Sequence, residues 1–116
     1  MAATPPLPAV SHDLREKAER IQALTEEMIA GKEADDWGRV VAAEEERRPL
    51  IPELIEGGFQ DEGGEEATAW LTWLLETEQA IMRQGESILA EMREERSNAV
   101  NIDRARRAYQ QNRHSE

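Results

Sequence analysis

The sequence has no cysteine and only two histidines, and its aromatic side chains are three Trp, one Tyr and one Phe in 116 residues. Without cysteine there is no disulfide, no thiolate nucleophile and no cysteine-based metal site, which fits a reducing compartment. His12 and His114 stand near the two ends, away from any segment patterned to fix an imidazole beside a nucleophile, so nucleophilic catalysis is not expected. The Glu-x-x-His pairs of di-iron bundles are missing, as are the glycine fingerprints that cradle phosphates. Long apolar runs are missing too. The densest, Trp70 to Leu75, spans six residues, against the roughly 20 of a membrane helix. The opening Met1–Val10 stretch lacks a basic segment and an apolar segment, so no secretory signal is expected. Together these absences point to a cytoplasmic protein that is not an enzyme, holds no cofactor or metal, and does not insert in a membrane.

Large apolar residues are also scarce. Leu, Ile, Val and Phe make up 21 of the 116 residues, and the formal net charge is -11. A chain below roughly 20% in those four, with strong net charge, sits in the compositional class of disordered proteins. The pattern argues otherwise, because the few apolar residues recur at helical spacing. Three of the five prolines fall in the first ten residues, which predicts a flexible leader over 1–11. Ser11 is a candidate N-cap, and Leu14, Ala18, Ile21, Leu24, Met28 and Ile29 then mark a first helix over about 12–30, with Gly31 as its expected stop. Asp35 or Asp36 starts a second helix, whose stripe of Trp37, Val41, Glu44, Arg48, Ile51 and Ile55 keeps one phase through Pro49. The chain there either kinks or begins a new short helix; the unbroken phase favours the kink. Gly57–Gly64 reads as a loop. From Glu65 a long helix carries Leu71, Leu74, Glu78, Ile81, Gly85, Ile88 and Met92 in one seam, widened by Leu75, Met82 and Leu89. No strand alternation occurs. The expected fold is all-α: an antiparallel bundle of three main helices over 12–97, plus a short C-terminal helix and tail over 98–116. That last helix, capped by Ser97 or Asn98, equally allows continuation of the long one.

Charge divides the chain. Residues 1–92 carry 8 basic and 21 acidic side chains, net -13, whereas 93–116 carry 6 and 4, net +2. The acidic body disfavours nucleic acid, and the Arg104–Arg107 run is expected to rest on the protein's own acidic surface. In the run Glu44–Arg48, carboxylates on successive helical positions point apart and cannot converge on one ion, so most of it reads as a solvated face. Glu44 and Arg48 fall in the apolar stripe, where they are candidates for an interfacial pair. Taking Leu71 as a seam position places Trp70 beside the seam and Trp73 on the outward side, next to small residues that either another helix of the chain or a partner's helix can cover.

One stretch carries a resemblance. Asp36-Trp37-Gly38-Arg39-Val40-Val41, followed by Glu44-Glu45-Glu46-Arg47 and Leu50-Ile51-Pro52-Glu53-Leu54, resembles the second helix of FliT-type flagellar export chaperones. The closing Arg104–Gln110 segment is similar to the family's basic and alanine-rich end. The sequence departs from the family pattern at Pro49 and Pro52, where helix formers are usual, and at Ala43, where a larger aliphatic is common. The resemblance implies a helical cytoplasmic chaperone that binds the C-terminal helical segment of the flagellar filament-cap protein, keeps it unassembled and delivers it for type III export. In some members it implies binding to the export ATPase complex and to the flagellar master transcriptional regulator, and a last helix, here about 98–112 with Tyr109 as anchor, that folds over the binding surface. The expected groove residues are Trp37, Val41, Leu50, Ile51, Leu54, Leu71, Trp73, Leu74 and Tyr109. A different class of function, a structural coiled coil or homodimerisation module built on the long seam, fits the same pattern, and a transcription-factor antagonist is a secondary role within the first.

Overall fold

Helix α1 spans His12–Glu33, and its apolar face is the one the spacing predicts: Leu14, Ala18, Ile21, Leu24 and Met28 are all buried. The structure, a computed structural model, describes the backbone of residues 4–114 and the side chains of all of these except 96–105 and 108–114. Gly31 is not the stop of α1. It lies buried inside the helix, and the turn comes at Asp35, whose φ of 55° is the left-handed conformation that Asp tolerates better than most residues. Ser11 sits at the N-cap position, but its side chain does not cap. Its backbone N–H donates instead to Glu62 Oε1 at 2.9 Å. The segment expected to be a flexible leader is packed in its later half: Pro8 is buried, and Leu7 and Val10 lie against the core.

Helix α2, Trp37–Arg47, starts where Asp36 accepts the Arg39 N–H at 3.2 Å, a side-chain cap on one orphan donor. Helix α3 is the short Leu50–Glu56. The single kinked helix favoured by phase is therefore two helices, because Pro49 has no N–H to donate across the junction. The stripe nevertheless stays in phase, since Arg48 and Pro49 keep right-handed helical dihedrals. The buried face of α2 is Trp37, Val40, Val41, Ala43 and Arg47, not the expected line through Glu44 and Arg48. Glu44 and Arg48 form an i,i+4 pair whose arginine is exposed. Further exposed pairs, Arg39 with Glu27 and Arg20 with Glu46, link α2 to α1 and contribute little to stability.

Helix α4 covers Phe59–His114 and contains one non-helical residue, Gly64, with φ 59° and ψ -135°. Only glycine adopts that conformation without strain. The loop expected over 57–64 thus contracts to a turn at Gly57–Gly58 and a break at Gly64, with helical turns between. At the other end α4 takes the continuation that the sequence allowed in place of a separate last helix, with helical backbone to His114. Among the described residues there is no strand, and the fold is the all-α helical bundle expected. Two compact units divide the chain, residues 1–85 and 86–116. The first holds the core, where Leu14, Ala18 and Ile21 of α1 meet Leu54 of α3 and Phe59, Ala67, Trp70, Trp73 and Leu74 of α4. Trp70 is its centre, fully buried, with Phe59 edge-on at 5.4 Å between ring centroids. Its indole N–H donates to Gln22 Oε1 at 2.9 Å, so burying the ring leaves its one donor satisfied.

Candidate functional site

On α4 two apolar stripes run side by side. Ala67, Trp70, Trp73, Leu74, Thr77 and Ile81 are buried, at the spacing of three and four that one helix face requires. Leu71, Leu75 and Glu78, one position further round, are not. Helix α3 does the same on a smaller scale: Leu54 is fully buried, while Ile51 and Ile55, four apart, lie on a neighbouring face. The two uncovered stripes meet in a groove of about 290 Å³ lined by Ile51, Ile55, Gln60, Leu71, Leu74, Leu75 and Glu78. Ile55 remains 49% exposed and Leu75 55%. Aliphatic side chains left half in water on two adjoining elements form a surface that gains by being covered.

One end of this groove is charged. Arg47 of α2 is 1% exposed and donates through Nη2 to Glu78 Oε1, and the Glu78 side chain is 32% exposed. Through Nη1 the same guanidinium donates to Thr25 Oγ1 at 3.0 Å, and that hydroxyl donates in turn to the Ile21 carbonyl at 2.8 Å. Burial pushes the Arg47 pKa down, and the nearby carboxylates of Glu78 and Glu44 oppose it. Its Nε has no hydrogen-bond partner. Chemically the site offers apolar area and one anchored carboxylate. Among the described residues no group of carboxylates and imidazoles is placed to hold a metal ion, and no helix is long and apolar enough to cross a membrane.

The groove brings together three of the expected binding residues, Ile51, Leu71 and Leu74. Leu50 is half-buried against the core. Trp37, Val41, Leu54 and Trp73 are buried, and Trp73 is not outward: it packs against Trp70 with centroids 6.4 Å apart. The Tyr109 side chain lies outside the described residues, as does that of Arg104. Sequence reasoning missed Ile55, Leu75, Gln60 and Glu78 as groove residues. The first two were legible as apolar positions, but the sequence offered no sign of which apolar positions the core leaves uncovered.

A family model described as "Flagellar protein FliT" matches residues 15–111. The chain belongs to the FliT family. The match takes in the whole groove, including the α2–α3 stretch that carries the resemblance, and it makes this a FliT-type flagellar chaperone. No curated protein and no solved structure matches the chain significantly.

Proposed function

We propose that this chain is a cytoplasmic type III export chaperone, not an enzyme, that takes the C-terminal helical segment of the flagellar filament-cap protein into the α3–α4 groove, holds it unassembled and passes it to the export apparatus. The observation that carries this reading is the half-exposed apolar groove in a FliT-family chain. An amphipathic helix laid along Ile51, Ile55, Leu71 and Leu75 buries on both partners the surface that neither covers alone. The C-terminal regulatory helix and tail over 98–116 compete for the binding surface, with Tyr109 as their anchor, by leaving the helical continuation of α4. Contacts with the export ATPase complex and the flagellar master regulator are further roles of the same chaperone, the latter a route to transcription regulation without direct contact with nucleic acid.

Calorimetry of the full chain against a peptide of the cap protein's C-terminal helix tests the proposal. Binding with a negative heat-capacity change is expected, since apolar burial dominates. No binding, with or without residues 98–116, overturns it. Deleting 98–116 is expected to tighten binding, and an unchanged affinity refutes the regulatory role.

A further inference from the structure

Glu78 is the one charged residue in the groove wall, and it is not free to leave. Its Oε1 receives Arg47, whose guanidinium is buried and already has an unpartnered Nε. Swinging Glu78 out to water strands that buried charge, and losing one partner of a buried pair costs far more than the pair contributes. Glu78 therefore stays in the wall whatever fills the groove. An occupant that excludes water must then either leave a carboxylate desolvated, which is costly, or supply a donor to it. A carboxylate accepts through both oxygens, and Arg47 takes only Oε1.

Resting on the chaperone reading of the groove, we propose that its occupant is an amphipathic helix of another protein carrying one lysine or arginine within its apolar face, and that Glu78 receives this cation. A charge-assisted hydrogen bond is the strongest donor available to an anchored carboxylate. The field favours the same sign, because residues 1–92 carry net -13. It disfavours a second copy of this chain, whose own net charge is -11. Apolar burial against Leu71 and Leu75 supplies affinity, and Glu78 fixes the register at which the helix lies, since a one-turn slip leaves the cation without a carboxylate and Glu78 with only its Arg47 donor.

The test uses the full chain and the cap protein's C-terminal helical peptide, in its native form and with the basic residue of its apolar face changed to glutamine. Glu78→Gln keeps an acceptor for Arg47 and removes the charge. It is expected to weaken the native peptide about tenfold and the substituted peptide less than about twofold. Leu75→Ala is expected to weaken both peptides alike. Should Glu78→Gln not fold, as read by its melting transition, Glu78→Asp replaces it, keeping the charge that balances Arg47 while drawing it back from the groove. Equal losses for both peptides, an unweakened native peptide, or a native peptide with no basic residue in its apolar face overturns the inference and leaves the chaperone reading standing. A wild-type chain that binds neither peptide overturns the chaperone reading and this inference with it.

Discussion

The two apolar stripes of α4 have nearly the same chemistry and opposite fates. Ala67, Trp70, Trp73, Leu74, Thr77 and Ile81 are closed off from water, the first four in one core with residues of α1 and α3, and Leu74 also reaches the groove wall. Leu71, Leu75 and Glu78, rotated by one residue, border an open groove. Among their apolar residues, hydrophobicity does not distinguish the stripes; bulk does. Both tryptophans of α4 lie on the inner one, where Trp70 packs against Phe59 and Trp73, while Leu75 of the outer one stays 55% exposed among the described residues. A helix whose apolar band is wider than its neighbours can cover has a remainder, and here the remainder is the candidate site.

This contrast breaks most severely at the inner stripe. Trp70→Ala removes the core's central ring and its bond to Gln22, with an expected loss of about 3–5 kcal/mol in urea unfolding. Next comes the pair that joins the core to the groove. Glu78→Leu leaves Arg47 buried without its main counter-charge and is expected to cost about 3 kcal/mol. Adding Arg47→Met to that variant recovers much of the loss, a coupling that a double-mutant cycle measures directly. If Glu78→Leu is neutral, the carboxylate is a bystander of the groove rather than its anchor. A smaller effect is expected at Gly85, one turn beyond Ile81 on α4. A Cβ there collides with the six-membered ring of Trp37, and the indole is tethered by its N–H donating to Asp35 Oδ1 at 2.8 Å. Gly85→Ala therefore overpacks the site, costing about 1–3 kcal/mol and shifting tryptophan fluorescence as Trp37 moves.

How much of this was legible depends on what decided each element. Helix α1 was readable because its apolar residues have one phase and its neighbours cover that phase, so periodicity and burial coincide. Helix α2 was readable in extent but not in face. Continuity with Ile51 and Ile55 across Pro49 drew the stripe through Glu44 and Arg48, whereas the buried charge is Arg47. An arginine carries no apolar signal, and its burial depends on Thr25, 22 residues away, and Glu78, 31 away. On α4 a seam through Leu71 placed Trp73 outside, and the true seam runs through Trp70. Both phases were open to the sequence, and only packing against α1 and α3 chooses between them. The groove shares that limit: Ile55 and Leu75 are ordinary apolar positions until the structure leaves them uncovered.

The sharpest test of the contrast is its smallest effect on stability. Leu75 is 55% exposed, so Leu75→Ser removes little buried area and is expected to change unfolding free energy by no more than about 0.5 kcal/mol. The same truncation on the inner stripe, at Leu74, leaves a cavity and an unpaired hydroxyl in the core and should cost several times more. Binding of a helical partner inverts the order. Leu75→Ser is expected to weaken it at least about tenfold, as for a residue near the centre of an apolar interface, although the folded chain is unaltered. Leu75 and Leu74 are adjacent in the chain, so neither composition nor helix propensity can account for such a crossover. If Leu75→Ser instead destabilises the chain as much as Leu74→Ser, the outer stripe is core, and the groove is not a site.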